Sequence, residues 1–118
     1  MGEKTKDCIF CKIAGKEITV PIKYEDESII AFNDKNPQAP VHVLIIPKEH
    51  IATLNDVTNK TEALLGKMAI IAKEIAEKEK VSASGYRVVI NCGENGGQLI
   101  EHLHMHLLGD RKLSWPPG

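Results

Sequence analysis

The 118-residue chain lacks an excess of charge of either sign, with 15 Lys and Arg against 16 Asp and Glu and a net charge of -1. Binding to the phosphate backbone of a nucleic acid needs a basic surface, so we expect no nucleic-acid partner. A long hydrophobic run is missing too, because the longest uncharged apolar stretch, Val41–Ile46, is far short of the roughly 20 residues that cross a bilayer. We therefore expect no membrane partner.

Cysteine is also scarce, since the chain has only Cys8, Cys11 and Cys92, an odd number that does not suggest a disulfide framework. The N-terminal residues 1–7 are charged and contain no apolar signal segment, which predicts a reducing, cytoplasmic location. Hydrophobic residues make up 42% of the chain and charged residues 26%, close to the average of globular proteins. These values predict a single domain over residues 1–118, with residues 1–6 as a flexible polar tail.

The periodicity of the apolar residues predicts one long helix among about five strands. Apolar residues recur at helical spacing from Thr58 to Lys80, and Thr58 or Thr61 can cap this helix. The predicted strands are Ile18–Tyr24, Ile29–Phe32, Val41–Ile46, Tyr86–Cys92 and His102–Leu108. Most connections between them are too short for crossover helices. The sequence therefore predicts an α+β fold around an antiparallel sheet.

All five histidines fall in two places, with His42 and His50 in the middle of the chain and His102, His104 and His106 near its end. The last three alternate with large aliphatic residues at a period of two. In a strand this spacing puts the imidazoles on one face, about 6.6 Å apart, and the aliphatic side chains in the core. The alternation predicts a functional row of histidines, with solvated side chains on a half-exposed strand as the alternative.

Two chemistries suit such a row. The imidazoles can ligate a metal ion as neutral bases. Alternatively, one imidazole can attack phosphorus while its neighbours fix its tautomer, hold phosphoryl oxygens and donate a proton. The glycine-rich loop Asn91–Gln98 is a weak signal by itself, since a tight connection has the same composition. Beside the histidines, its approachable backbone N–H groups and side-chain amides indicate a bound phosphate.

The segment His102–Leu108 resembles the signature of the histidine triad (HIT) superfamily, in which three histidines alternate with apolar residues. Further segments are similar to the Hint branch: Asn91–Gly93, Gly96–Gln98, Asn36–His42, Ile46–His50 and Trp115–Gly118. The likeness extends from Cys8 to the C-terminus. It implies a HIT-like α+β fold with a five-stranded antiparallel sheet, one long helix and a shorter one. It also implies a homodimer with a continuous ten-stranded sheet, in which Trp115 contacts the partner.

This resemblance implies an enzyme that hydrolyses purine nucleoside phosphoramidates or acyl-nucleotides to a nucleotide such as AMP or GMP. It assigns the nucleophile, which carries the nucleotidyl group, to His104, and the contact with the phosphoryl oxygens to His106. His42 and His102 complete the catalytic set. The implied nucleotide contacts are Asp34 at the ribose, Asn91, Gly97 and Gln98 at the phosphate, and Ile9, Phe10, Ile13 and Phe32 at the base. By residue type alone, the last four are more often core residues.

The sequence departs from the Hint pattern at two positions. Leu99 stands where the family usually has a serine near the phosphate or leaving group, and loss of one such donor commonly costs ~3 kcal/mol of transition-state stabilisation. Lys35 stands where an aliphatic residue is common near the base. The alternative interpretation is a nucleotide-binding regulatory or scaffold protein in which Leu99 has reduced turnover to an incidental level.

Cys8 and Cys11 have the C-x2-C spacing of a zinc knuckle, but two thiolates are too few for a tetrahedral ion. Resemblance to bacterial-type HIT proteins implies that His50 and His102 complete a structural zinc site. Two buried free thiols are the alternative. A third interpretation is a metalloenzyme that uses all three histidines of the row as ligands of a catalytic ion.

Overall fold

The computed structural model describes residues 7–118, so the tail predicted at residues 1–6 lies outside the described residues. Five strands, two α-helices and one 3-10 helix make up the described part. In chain order these are α1 (Ile9–Ala14), β1 (Ile22–Glu25), β2 (Ile29–Asn33), β3 (Val41–Pro47), the 3-10 helix (Leu54–Asp56), α2 (Glu62–Lys78), β4 (Tyr86–Val89) and β5 (Met105–Gly109). The predicted α+β class is confirmed. No helix within residues 7–118 is long and apolar enough to cross a membrane.

The five strands form one antiparallel sheet in the order β1-β2-β3-β5-β4, as the resemblance implies. Because β5 lies directly beside β3, the end of the chain meets its middle. In this register Leu44 lies opposite His106, and His42 lies opposite Leu108. His42 and His106 are therefore diagonal neighbours on one face, within reach of each other's rings. The topology brings a mid-chain histidine to the row at the end of the chain.

Helices cover both faces of the sheet, so β2 and β3 are buried on two sides. On one face, Met68, Ile71, Ala72, Ile75 and Ala76 of α2 pack against Ile29, Ala31, Val43, Ile45, Met105 and Leu107. On the other, Cys8, Phe10 and Ile13 pack against Ile30, Phe32, Leu44 and Ile46. Two-sided burial explains why β2 and β3 are almost continuously apolar rather than alternating. The face covered by α1 also carries the histidines.

Helix α2 is shorter at both ends than the predicted Thr58–Lys80. The hydroxyl of Thr61 accepts a hydrogen bond from the N–H of Thr58 at 3.0 Å and donates to its carbonyl at 3.2 Å. These bonds form a turn before the helix, so the hydroxyl makes no capping bond. At the other end Lys80 has a φ of 64°, a left-handed conformation that a helix cannot continue through.

Strand β5 begins at Met105, whereas the alternation predicts a strand from His102. The pairing of β5 with β3 stops at Ile45, and the last residue of β3, Pro47, has no N–H to offer a partner strand. The carbonyl of Pro47 instead lies 2.8 Å from Nε2 of His102. The side chain of His102 therefore takes the place of a backbone partner, and the predicted start of the strand is wrong.

Two other strands are shorter than predicted for related reasons. The predicted first strand starts at Ile18, but β1 begins only at Ile22, directly after Pro21, which cannot donate to a sheet. The predicted fourth strand runs to Cys92, but β4 ends at Val89, which pairs with His106 near the start of β5. Residues beyond Val89 have no paired strand beside them.

Candidate active site

The three histidines of the row lie on the face of the sheet that α1 covers. His102 is fully buried, His104 is nearly so and His106 is half-buried. The ring of Phe10, from α1, meets the ring of His102 edge-on at 5.8 Å and that of His104 at 5.1 Å. The intervening Leu103, Met105 and Leu107 are buried in the core on the other face. The alternation therefore separates imidazoles from core residues as predicted, although only His106 lies within the regular strand.

The hydrogen bond of His104 defines which nitrogen of its ring is free. Its Nδ1 lies 2.7 Å from the carbonyl oxygen of His102. A carbonyl only accepts, so the proton of the neutral ring is on Nδ1 and donates to it. The Nε2 lone pair of His104 is consequently free, which is the requirement for a nucleophile.

A second chain of hydrogen bonds defines the proton of His106. The backbone N–H of Gln38 donates to Nδ1 of His42 at 3.0 Å, which leaves the proton of His42 on Nε2. That nitrogen lies 2.9 Å from Nδ1 of His106 and donates to it. His106 must then carry its own proton on Nε2. One histidine thus offers a lone pair and its neighbour, with ring centroids 4.9 Å apart, offers an N–H.

Asp34 lies at the His106 end of the row. Its Oδ2 is 3.3 Å from Nε2 of His42, and its Oδ1 accepts from the backbone N–H of Asn36 at 2.8 Å. The carboxylate side chain is 21% exposed, so one edge of it faces solvent where a hydroxyl can reach it. A ribose contact, predicted from the resemblance, fits this position and stays a prediction.

Burial keeps these rings uncharged. Burial, followed by the neighbouring rings of His104 and His42, lowers the pKa of His106 to about 4. It also lowers the pKa of His42, against the opposing charge of Asp34, and that of His104, against its hydrogen bond to the His102 carbonyl. At neutral pH the lone pair of His104 is therefore not blocked by a proton.

Two amide side chains that were predicted to contact a phosphate instead form hydrogen bonds with the backbone in and around the glycine-rich loop. Nδ2 of Asn91 donates to the carbonyl of Gly96 at 2.6 Å. Oε1 of Gln98 accepts from the N–H of Gly93, and its Nε2 donates to the carbonyls of Ala52 and Ile100 at 2.9 and 3.0 Å. Both N–H bonds of the Gln98 amide are thus used within the protein. In this arrangement Gln98 shapes the loop and offers no side-chain donor to a phosphate.

The same loop requires glycine at two positions, and Leu99 follows it at the surface. A Cβ at Gly96 would collide with the backbone carbonyl of Cys92, so only glycine fits. Gly97 has a φ of 80°, which also favours glycine. The side chain of Leu99 is 95% exposed and contributes almost nothing to the core.

The predicted base-contacting residues divide into two groups. Phe10, Ile13 and Phe32 are buried, and the Phe10 and Phe32 rings meet edge-on at 5.8 Å, so their first role is in the core. Ile9 is 40% exposed and is free to contact a ligand. Phe10 joins the two roles, because its ring also touches His104.

Cys8, Cys11, His50 and His102 converge on one point, with their ligand atoms all within 4.8 Å of one another. Cys8 precedes the first turn of α1 and its Sγ accepts from the N–H of Cys11 at 3.3 Å, so the C-x2-C spacing puts both thiols on one side. The Sγ to Nδ1 distances are 3.3 Å for Cys8–His102, 3.5 Å for Cys11–His102 and 3.1 Å for Cys11–His50. Tetrahedral zinc holds sulfur and nitrogen ligands about 3.5 Å apart, so the four residues fit such an ion.

The hydrogen bonds and charges of this cluster also suit a cation. Since Nε2 of His102 donates to the Pro47 carbonyl, its Nδ1 presents a lone pair to the sulfurs. Burial, and then the neighbouring His50 and His104, lowers the pKa of His102 to about 4, so the ring stays neutral. Burial beside Cys8 raises the pKa of the Cys11 thiol to about 12. A bound cation would reverse this penalty and favour the thiolate.

Asp34, His42 and His106 form a second group of potential ligands within 4.8 Å, but its geometry is that of a hydrogen-bonded set. The two ring nitrogens are 2.9 Å apart, closer than the about 3.3 Å between nitrogens bound to one zinc ion. The N–H of Gln38 also keeps a proton on the nitrogen of His42 that a metal would need. Because His102 turns its Nδ1 to the thiols instead, the interpretation of the row as three ligands of one catalytic ion is wrong.

The match to known proteins agrees with this geometry. The HIT domain family matches residues 15–113, most of the chain. The chain belongs to the HIT family. It is 48% identical over 113 residues to the purine nucleoside phosphoramidase of Escherichia coli, covering 96% of this chain and 92% of that protein. It is 52% identical over 114 residues to an uncharacterised HIT-like protein of Synechococcus elongatus, covering 97% of this chain and 99% of that protein.

A solved HIT structure shows the same fold. The crystal structure of a HIT family hydrolase from Legionella pneumophila superimposes with a TM-score of 0.93 at 52% identity, covering 95% of this chain and 100% of that chain. The HIT fold is therefore that of this protein.

Three main-chain groups that complete the site of this HIT protein were missed from its sequence. They are the carbonyls of Pro47 and His102 and the N–H of Gln38, which fix the rings of His102, His104 and His42. The motifs name the side chains, but no residue type signals which backbone group will meet a ring. A cavity of about 390 Å³ was also missed; it lies beside the cysteines and is lined by Asp7, Cys8, Ile9, His50, Leu99, Ile100 and Glu101.

Proposed function

We propose that this HIT protein is a hydrolase that cleaves purine nucleoside phosphoramidates or acyl-nucleotides to the nucleoside monophosphate. The observation that carries the proposal is the His104 ring, whose Nδ1–H is held by the His102 carbonyl so that Nε2 is an unprotonated nucleophile. The N–H of His106 beside it suits the negative oxygens of a phosphoryl group. The E. coli relative named purine nucleoside phosphoramidase supports this substrate class.

In the first step, Nε2 of His104 attacks the α-phosphorus and forms a P–N bond while the bond from phosphorus to the leaving group breaks. The electron pair of that bond goes to the leaving group: a carboxylate departs as the anion, and an amine takes up one proton from water, which the second step returns. Positive charge develops on the His104 ring, where the His102 carbonyl at Nδ1 stabilises it. The Nε2–H of His106 donates to a phosphoryl oxygen, so the developing negative charge is also matched.

In the second step, water attacks the phosphorus of the nucleotidyl-histidine and the P–N bond to His104 breaks. The electron pair returns to Nε2, a proton from the water is released, and the nucleoside monophosphate leaves. Two such displacements replace one difficult one. The His42–His106 hydrogen bond keeps the same donor in place for both steps.

The nucleoside is proposed to lie along the α1 face, between the Asp34 end of the row and helix α1. Asp34 accepts hydrogen bonds from the ribose hydroxyls, for which its partly exposed carboxylate is suited. Ile9 and the Phe10 ring line the base. The loop containing Asn91 and Gly97 lies by the phosphate, with Gln98 as its internal support.

We assign the cluster of Cys8, Cys11, His50 and His102 to a structural zinc ion. Four ligands fill a tetrahedral ion, so the ion supplies no open position and only cross-links the chain. Through His102 it holds the residue whose carbonyl fixes His104.

We also propose that the protein is a cytoplasmic homodimer with a continuous ten-stranded sheet. Within the described residues β4 pairs on one side only, with β5, and its Tyr86 and Val88 are 37% and 40% exposed. An antiparallel copy of β4 would extend the sheet. Trp115, 81% exposed, is then available to the partner.

The test of the catalytic proposal is incubation with an adenosine 5'-phosphoramidate and chromatographic measurement of AMP. The wild-type protein is expected to release AMP, and His104→Ala is expected to bind AMP without releasing product. A quench at alkaline pH, where phosphorus–imidazole bonds survive, should show a nucleotidyl group on the peptide containing His104. Tight AMP binding by the wild type with negligible turnover would instead support the regulatory or scaffold function.

A further inference from the structure

The segment after β5 is joined to the active-site loop by Arg111. Nε of Arg111 donates to the carbonyl of Gln38 at 2.8 Å, and its Nη1 donates to the carbonyl of Lys112 at 3.0 Å. Gln38 also donates its N–H to Nδ1 of His42 at 3.0 Å. The carbonyl of Gln38 is therefore bound by an arginine, and its amide N–H binds a histidine.

The loop between β2 and β3 has few other ways to fix this amide. Pro37 and Pro40 carry no N–H, so they cannot replace Gln38 as donors. The side chain of Gln38 bonds to the carbonyl of Asn36 within the same loop. Among residues 7–118, Arg111 and His42 supply the hydrogen bonds that Gln38 makes outside this loop. Its orientation toward the sheet therefore depends on the guanidinium.

The amide of Gln38 at Nδ1 of His42, together with the Asp34 carboxylate 3.3 Å from its Nε2, sets how protons are arranged along the row. If its N–H turned away, the proton of His42 could move to Nδ1, and Nε2 of His42 would accept from His106. His106 would then point a lone pair, rather than an N–H, at the phosphoryl oxygens. We infer that Arg111 is a positioning residue that, through Gln38, keeps His42 and His106 in the tautomers that donate toward the substrate. The catalytic part of this inference rests on the proposed function.

The chain offers a matched control on the same terminal segment. Nη2 of Arg87 donates to the carbonyls of Leu113 and Ser114 at 3.2 and 2.8 Å. Arg87 therefore anchors the segment a few residues further on, with no hydrogen bond to Gln38. Replacing Arg87 loosens the terminal segment but keeps the bond to Gln38, whereas replacing Arg111 removes that bond.

The experiment measures the ring ¹⁵N spectra of His42 and His106 without substrate, in the wild type, Arg111→Ala, Arg111→Lys and Arg87→Ala. The wild type and Arg87→Ala should show one tautomer, with the proton on Nε2 of both rings. Arg111→Ala should shift both rings toward a tautomer mixture, and Arg111→Lys, which keeps a donor, should restore much of the wild-type pattern. In the AMP-release assay Arg111→Ala should lower kcat by roughly tenfold and change KM by less than about twofold.

Identical ring spectra in the wild type and Arg111→Ala overturn the inference, and so does an equal disturbance in Arg87→Ala. If Arg111→Ala does not fold, Arg111→Met carries the test, because it keeps the aliphatic stem and removes every donor, so the tautomer shift should persist. A protein that releases no AMP contradicts the proposed function alone. The spectra, recorded without substrate, then still decide the role of Arg111.

Discussion

The two ends of the histidine row use the same side chain in different ways. At one end Nδ1 of His102 faces two thiols, at 3.3 and 3.5 Å, while its Nε2 meets a backbone carbonyl. At the other end Nδ1 of His106 faces another imidazole, that of His42, at 2.9 Å. The partner of the second ring nitrogen, rather than the spacing of the histidines, therefore decides whether a ring suits a metal or donates a proton.

This comparison predicts that the two ends can be damaged separately. Changes at the His106 end should reduce the rate and leave the fold nearly intact. Changes at the His102 end should weaken the fold first and the rate only through His104. The following variants and measurements test that division.

The largest effect is expected at the proton-donating end, for His106→Ala. Loss of a donor aimed at the phosphoryl oxygens should lower kcat by about 10²–10³-fold. The half-buried ring contributes little to the core, so Tm should change by only a few degrees. Steady-state AMP release and thermal unfolding measure the two effects. A kcat within tenfold of the wild type would show that His106 is not the donor.

At the thiol end, Cys8→Ser should lower the free energy of unfolding by about 3 kcal/mol, because the proposed zinc site would contribute to folding and is lost. For a chain of this size that is a fall in Tm of about 10 °C. The matched control is Cys92→Ser, which changes a free cysteine outside the cluster.

The measurements are thermal unfolding and elemental analysis of protein purified without added metal or chelator. Zinc near one per chain is expected for the wild type and Cys92→Ser, and much less for Cys8→Ser. Zinc far below one per chain, together with an unchanged Tm of Cys8→Ser, would show that Cys8 and Cys11 are ordinary thiols.

The pH dependence should reflect the lowered pKa values of the buried rings. Only the neutral His104 is a nucleophile, so kcat/KM should stay level as the pH falls through 6.5 and decline at lower pH. Stability should fall over a related range. In the unfolded chain His106 takes up a proton near pH 6.5, whereas in the folded chain it does so only near pH 4, so stability is lost as the pH falls between these values. A decline of kcat/KM centred above pH 6.5 would contradict this.

The smallest effect is expected beside the glycine-rich loop, for Leu99→Ser. A hydroxyl at this position returns a donor near the phosphate, so kcat should rise by up to about tenfold. The side chain of Leu99 is 95% exposed, so Tm should not change. The control is Ile70→Ser, which replaces a 53% exposed aliphatic residue on α2. An equal or lower kcat in Leu99→Ser would show that the loop does not need a side-chain donor here.

Much of the fold could be predicted because it depends on local patterns. Period-two alternation separated Leu103 from the imidazoles, and helical spacing found the body of α2. The ends of elements were predicted less well, since they depend on partners distant in sequence. Pro47 ends the pairing of a strand 55 residues away, which no pattern around His102 reveals.

The candidate site shows the same division. The C-x2-C spacing and the resemblance together named all four residues of the thiol cluster. The tautomers could not be predicted, because they depend on backbone groups such as the N–H of Gln38. Gln98 was assigned to phosphate by its type, but three hydrogen bonds to neighbouring backbone occupy its amide. Residue type predicts what a side chain can bind, and tertiary structure decides what it does bind.

The contact between Cys8 and His102 also has a consequence for the order of folding. It joins positions 94 residues apart, whereas β2 and β3 pair across a short loop in which Asn33 meets Val43. Closing the longer loop costs more chain entropy, so α1 should dock after the sheet and α2 have formed, and it should be the first element to open. Phe10 belongs to α1, and its ring lies against His104. This wall of the proposed catalytic pocket should thus be the last part of the domain to be completed, when the thiol cluster assembles.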